Sequence, residues 1–438
     1  MNNAKAVTFG VQHLLAMYAG AILVPLIIGG AIGFNTEQMT YLVAIDILMC
    51  GVATLLQVWS GKFVGIGLPV VLGCTFTALT PIITIGTSKS IGSIYGAIIV
   101  SGIVIVLISG FFGKLVRFFP PVVTGCVVTI IGISLLPTAM TNMGGGDATA
   151  ADFGSSTNLL LGFITLVTIV VIYRFTKGFM RAIAILMGLI VGTVLGMVMG
   201  IVSFAPVKEA SWFHMVQPFY FGKPEFHIEP IITMTLVAIV SLVESTGVYY
   251  ALGDICKKPL NSKDLARGYR AEGLASIIGG IFNAFPYTTY SQNVGLVQIT
   301  GVKERKVIFI TGTMLVVLGF LPKAAALTQI IPTPVLGAAM IAMFGTVITQ
   351  GMKMLAPEII KSMENALIVA CAVGLGVGVS VVPQVFQALP DSLSILFANG
   401  IVTGSVTAIV LNIVFNMIGK SHVETKMHAV GQAEIVKE

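Results

Sequence analysis

The chain has 438 residues, 56% of them hydrophobic and only 10% charged, with a mean hydropathy of +0.99. A soluble domain carries about 25% charged residues, so the composition excludes a soluble protein and points to one polytopic membrane domain. The net charge of +6 follows from the loops described below, and no basic patch suggests a nucleic-acid partner.

Apolar blocks of bilayer-spanning length run almost without break from Val11 to Ile418. About 20 apolar residues cross a bilayer as a helix. The pattern predicts an all-α polytopic protein with spans over 8–33, 38–60, 64–82, 92–112, 119–137, 158–173, 182–203, 230–252, 271–285, 286–300, 306–321, 334–352, 364–382 and 394–418. The first block follows a single Lys5 and has no small-residue cleavage site, so it reads as a first transmembrane helix and not as a removed signal peptide.

Lys and Arg gather in cytoplasmic loops, and this tests the count of fourteen. With the N-terminus inside, 20 of the 24 basic residues face the cytoplasm, among them Arg117, the cluster from Lys257 to Arg270, and the run Lys303, Arg305 and Lys306. Only Lys89, Lys208, Lys223 and Lys323 fall outside. One span more or fewer would invert every later loop. The expectation is a multi-pass cell-membrane protein with both termini cytoplasmic.

A repeat emerges at an offset of 212, where Phe119-Pro120-Pro121-Val122-Val123-Thr124-Gly125 resembles Ile331-Pro332-Thr333-Pro334-Val335-Leu336-Gly337. Seven spans in each half is an odd number, so the second copy sits upside down, an arrangement transporters use to hold a substrate near the midplane. The halves are 1–205 and 230–420, joined by an extracellular connection at 206–229 and followed by a tail at 421–438.

The same offset sets the third span against residues 277–292. Gly65, Pro69, Gly73, Cys74, Thr75, Phe76 and Pro81 punctuate the first; Pro286, Tyr287, Thr288, Tyr290, Asn293 and Gly295 punctuate the region of its partner. Backbone left unpaired at membrane depth costs several kcal/mol per group. Two short extended pieces from opposite repeats can satisfy one another and leave helix N-termini facing a ligand.

Three acids fall within apolar spans, where charge is costly and marks function. Glu244 lies deep in span eight beside Ser245 and Thr246. Glu272 opens span nine after Arg267 and Arg270, so a structural ion pair competes with a functional role. Asp46 suits either gating and proton coupling or a satisfied structural hydrogen bond. His13 is a lone histidine on the first span. Trp59 and Trp212 sit at span ends as interface anchors. Cys50, Cys74, Cys126, Cys256 and Cys371 form no C-x-x-C pair and read as packing thiols, with no metal site. No nucleophile with a neighbouring base points to an enzyme.

Gln292-Asn293-Val294-Gly295 through Thr300-Gly301 fits the Q-N-x-G-x-x-x-x-T-G signature of the nucleobase/ascorbate transporter (nucleobase:cation symporter-2) family. Gln12-His13, Glu244 and Ala271-Glu272-Gly273 also stand where that family has its important polar residues, and the chain resembles it throughout. The resemblance implies a core of spans 1–4 and 8–11, a gate of spans 5–7 and 12–14, an elevator motion between them, and a homodimer. It implies proton-coupled uptake of an oxidised purine, xanthine foremost and uric acid next, with no cofactor beyond the proton. Carried over, Glu244 and Gln292 are the principal purine contacts, with Phe76 as a stacking or backbone contact and Asn293 in support. Glu272 becomes the second essential acid and His13 tunes affinity. At Val248, purine-specific relatives often carry Asp, so the polar network around Glu244 differs here.

The residue chemistry suits this reading. A carboxylate accepts from a lactam N–H, and a carboxamide both donates and accepts. Phe76 or Tyr290 could cover the ring face, with Thr75 beside them. An anion channel or exchanger on a similar two-repeat fold is the alternative from another class; basic site residues would favour it, and the candidate site holds acids instead.

Overall fold

The computed structural model describes residues 2–115, 118–389 and 397–418. Arg117, the expected tail at 421–438 and the first residues of the last expected span lie outside them. Helix ends fall where the sequence supplies caps. The first helix, α1 (Asn3–Ile32), stops at Gly33, whose φ of 82° lets Phe34 N–H reach the Gly29 carbonyl at 2.9 Å. Asn35 then caps α2 (Thr36–Val58) in a reciprocal pair of hydrogen bonds with Gln38.

After α2 the backbone leaves the helix. It forms a strand, β1 (Leu72–Cys74), a 3-10 turn at Phe76–Ala78 and a short helix, α3 (Leu79–Ser88). The first half continues through α4 (Ile91–Leu115), α5 (Pro121–Gly144), α6 (Ser156–Phe175), α7 (Gly178–Ala182), α8 (Ala184–Val198) and α9 (Ala205–Glu209). The second half runs α10 (Ile228–Cys256), α11 (Ser262–Ile281), a strand β2 (Tyr287–Thr289), α12 (Ser291–Thr300), α13 (Arg305–Gly319), α14 (Pro322–Ala326), α15 (Thr333–Lys361), α16 (Met363–Val381) and α17 (Gly400–Asn412).

Among the described residues nine helices are long and apolar enough to cross a membrane, or ten if α13 and Pro322–Ile330, bent by 87°, count as one broken span. The other four expected spans are built differently. The helices α3, α8 and α12 are short, and α11 carries Asp264, Arg267, Arg270 and Glu272. Helix α11 also begins at Ser262 and not at 271, because Asn261 and Asp264 form a capping box there. Arg267 and Arg270, expected in a loop, are therefore helical.

The two strands pair antiparallel, Leu72 with Thr289, Gly73 with Thr288 and Cys74 with Tyr287. Flanking bonds from Thr75 N–H to the Pro286 carbonyl (2.9 Å) and from Tyr290 N–H to the Val71 carbonyl (3.0 Å) lengthen the ladder. The Thr54 hydroxyl of α2 accepts from Leu72 N–H at 3.0 Å and lies 3.3 Å from the Leu72 carbonyl, so an edge that would be costly in an apolar setting is closed. Helices α5 and α15 begin at Pro121 and Thr333, on the offset of 212.

Among the described residues the chain divides into two compact units, the first within 1–114 and 135–346, the second within 115–134 and 347–438. The first contains both strands. In it α2 packs on α1, α11 and α13, and the α2–α13 approach is so close that a Cβ on Gly51 would sit 2.6 Å from the Gly312 carbonyl oxygen. In the second, α16 packs along α17.

Candidate functional site

The crossing of β1 and β2 places the ends of two broken spans side by side. The ring of Tyr290, the N-cap of α12, lies directly on the β1 backbone: a Cβ on Gly73 would come within 2.4 Å of it, and one on Gly20 of α1 within 3.1 Å. The Tyr290 hydroxyl donates to the Cys74 carbonyl at 3.1 Å. Only a residue without a side chain fits at 73, so the glycine and the aromatic are one packing unit.

Helix α10 brings Glu244 to this crossing. Its neighbour Ser245 holds β2, with its hydroxyl 3.0 Å from the Thr288 hydroxyl and accepting from Thr289 N–H at 3.4 Å. Glu244 is half-buried, and Thr77 of the 3-10 turn faces its carboxyl. The Thr77 hydroxyl is buried without a hydrogen-bond partner among the described residues. Gln292, the second residue of α12, is also half-buried and lines a cavity of about 30 Å³ with Met17, Gly20, Tyr290, Leu186 and Met343. That volume holds a water and no planar heterocycle. Ala16 and Ile183 of its wall pack together with Leu296, with Leu15 and Leu186 around them. A larger cavity of about 780 Å³ is lined by Phe34, Asn35, Thr138, Asn142, Gln329 and Thr333.

The other expected site residues divide into free and committed groups. Phe76 is half-buried, 6.5 Å from the Tyr290 ring at 20° and edge-on to Phe344 at 5.5 Å. Tyr290, fixed at both ring and hydroxyl, is the less available of the two aromatics. The Thr75 hydroxyl accepts from Thr77 N–H at 3.3 Å and caps the 3-10 turn. Asn293 is buried and its amide nitrogen donates to the His13 carbonyl at 2.9 Å, which fixes the carboxamide orientation. The contact from the same nitrogen to His13 Nδ1 at 3.1 Å then makes Nδ1 the acceptor and leaves the ring proton on Nε2. His13 and Asn293 thus tie α12 to α1 behind Gln292.

Asp46 lies beneath the strands with no exposure. It accepts from the Cys74 thiol of β1 at 2.8 Å and from the Tyr287 hydroxyl of β2 at 3.5 Å, with the Cys50 thiol at 4.0 Å. The carboxylate and the two sulfurs lie within 4.8 Å of one another, a set that could hold a metal ion, although here both thiols are directed to the carboxylate. Two of the five cysteines are therefore polar partners. Glu272, 3% exposed, accepts from the Tyr249 hydroxyl. Its neighbours Arg267 and Arg270 turn elsewhere, Arg267 to Asp264 and the Gly61 carbonyl, Arg270 to the Ser109 hydroxyl and the Phe63 carbonyl.

Ser245, Thr54, Gln57 and Tyr249 are site-supporting residues that sequence reasoning missed. A signal existed for two of them. Asp46, Cys50, Thr54 and Gln57 recur at spacings of four, four and three, one face of a helix, and all are fully buried.

The permease family model matches residues 4–385. The chain is 61% identical over 417 residues to a xanthine permease of Bacillus subtilis (strain 168), covering 95% of each. It is 58% identical over 429 residues to the nucleobase transporter PlUacP of Paenibacillus larvae subsp. larvae, covering 98% of this chain and 99% of that one. Identity to the uric acid permease PucK of Bacillus subtilis (strain 168) is 59% over 414 residues, 94% of this chain and 96% of that one. Among solved structures, the transmembrane domain of the cyanobacterial bicarbonate transporter BicA matches with a TM-score of 0.63 at 16% identity, over 87% of this chain and 97% of that one. SLC26A9 matches with 0.60 at 12% identity, over 93% and 66%. At such identities the likeness concerns the fold alone.

Proposed function

The chain belongs to the nucleobase/ascorbate transporter family of permeases, and from that premise we propose that it takes up xanthine across the cell membrane by proton symport, with uric acid as the alternative or additional substrate. The observation that supports this reading is that Glu244 stands beside Ser245, which bonds β2, and faces Thr77, while Gln292 shares a cavity with Tyr290, whose ring rests on β1. The carboxylate accepts from a ring N–H, the carboxamide pairs with a lactam C=O and N–H, and Phe76 offers an aromatic face. Relatives named xanthine permease and uric acid permease at 61% and 59% identity support this substrate class.

Anion exchange, the reading that the bicarbonate transporter's fold brings to mind, fits the side chains less well. Asp46, Glu244 and Glu272 are acids by the strands, and Arg267 and Arg270 are engaged elsewhere. In the proposed cycle the core (spans 1–4 and 8–11) carries the purine past the gate (spans 5–7 and 12–14) as an elevator, in a homodimer. Glu244 serves as substrate ligand and Glu272 as coupling acid.

Proton coupling is tested in proteoliposomes by comparing labelled xanthine uptake under an inside-alkaline pH gradient with uptake under a sodium gradient. Accumulation with the pH gradient alone is expected; accumulation driven by sodium and indifferent to pH would defeat it. The proposed orientation, both termini cytoplasmic, places Gly145 outside and Ser262 inside. A cysteine at 145 should react with an impermeant maleimide in intact cells and one at 262 only after permeabilisation; labelling of both from one side would break the fourteen-span topology.

A further inference from the structure

Glu272 sits at the end of a hydrogen-bond chain whose direction the backbone dictates. Gln57 on α2 is fully buried. Its Oε1 accepts from Ile66 N–H at 3.4 Å and its Nε2 donates to the Gly268 carbonyl at 3.2 Å. An N–H can only donate and a carbonyl can only accept, so the carboxamide has one orientation. Its second N–H is then directed at the Tyr249 oxygen. That phenol oxygen is occupied as an acceptor, and its single proton goes to Oε1 of Glu272.

The other carboxyl oxygen has a different setting. The Ser245 hydroxyl also faces the Glu272 carboxyl, but Oε2 makes no hydrogen bond of good geometry among the described residues, and neither does the buried Ser241 hydroxyl. Glu272 and Ser241 line one cavity of about 20 Å³, with Ser276, Pro286 and Tyr287. This is room for about one water, which needs two to four polar partners; Oε2 and the Ser241 and Ser276 hydroxyls supply them. The titratable groups around Glu272 are Tyr249 and Glu244 on α10, Tyr269 on its own helix and Tyr287 across the cavity; Asp264 and the arginines of α11 are paired away from it.

We propose that Gln57 and Tyr249 are positioning residues that assign the coupling proton to Oε2 of Glu272, and that this proton enters and leaves through the water-sized cavity shared with Ser241. When Glu272 is protonated, Oε1 remains the carbonyl oxygen accepting from Tyr249 and the acid O–H is on Oε2. Release breaks that O–H bond, gives the proton to the cavity water as that water passes one of its own protons onward, with the Ser241 hydroxyl hydrogen-bonded to the water, and leaves the carboxylate with its Tyr249 hydrogen bond. The inference rests on the proposed role of Glu272 as coupling acid.

The test uses the full chain in proteoliposomes, comparing the natural protein with Tyr249→Phe and Ser241→Ala. Two quantities are measured with labelled xanthine: accumulation driven by an inside-alkaline gradient, and exchange against internal xanthine, which needs no net proton transfer. Tyr249→Phe is expected to lower the ratio of accumulation to exchange by about ten-fold and Ser241→Ala by a few-fold. Infrared difference spectra between low and high pH add a direct readout. The acid C=O band that disappears in Glu272→Gln should move to higher frequency in Tyr249→Phe, where the carbonyl loses its phenol donor. Accumulation and exchange falling in parallel, or an unmoved band, would overturn the assignment while leaving proton symport intact. A natural protein indifferent to the pH gradient would overturn both.

Discussion

Glu244→Ala and Gln292→Ala are each expected to weaken xanthine binding roughly ten-fold or more. Removing one partner of a buried hydrogen bond leaves the other unpaired at a cost of about 1–3 kcal/mol, more when the lost partner is charged, and 1.4 kcal/mol is about a factor of ten in affinity. Glu244→Ala should be the more severe, because the carboxylate is the stronger acceptor. Glu244→Gln keeps the shape and exchanges one acceptor oxygen for a donor, so it separates chemistry from packing. Binding is measured by titration calorimetry on purified protein, with uptake compared at matched membrane levels. Normal uptake in both alanine variants would exclude the strand crossing as the purine site.

Gly73→Ala acts on the same site without touching its polar groups. The new methyl would lie 2.4 Å from the Tyr290 ring, far inside van der Waals contact. The ring is also bound at its hydroxyl and packed against Gly20. Relief requires lifting the N-cap of α12, and with it Gln292 and Asn293. Overpacking of this kind costs roughly 1–3 kcal/mol, so a lowered Tm and a loss of transport of about ten-fold or more are expected. Tyr290→Ala in the Gly73→Ala background removes the clash and should recover part of the Tm, a coupling that a double-mutant cycle measures. Additive effects, or wild-type uptake in Gly73→Ala, would mean that the ring does not determine where α12 begins.

Legibility from sequence followed the length scale of each feature. Long apolar helices were readable because twenty consecutive apolar residues have few other fates. The broken spans were readable because Pro, Gly and Thr at membrane depth carry backbone that must find a partner, and pairing at corresponding positions identified that partner. The start of α11 was missed because hydropathy does not register a capping box: Asn261 and Asp264 begin a helix that is polar for its first turns. The committed roles of Tyr290 and Thr75 were also hidden. An aromatic or a hydroxyl beside a site looks the same whether it faces ligand or backbone, and only the Gly73 contact and the Thr77 N–H distinguish the two. Cys50 and Cys74 looked apolar because a thiol in an apolar block gives no sign of a carboxylate one turn or one strand away.

The measurement that bears most directly on the purine-carrier reading is competition against labelled xanthine uptake by excess unlabelled xanthine, uric acid, uracil and sulfate, in cells lacking their own purine permeases. Near-complete inhibition by xanthine, clear inhibition by uric acid and none by sulfate is the expected result. Inhibition by sulfate with uric acid inert, or no saturable xanthine uptake at all, would contradict it.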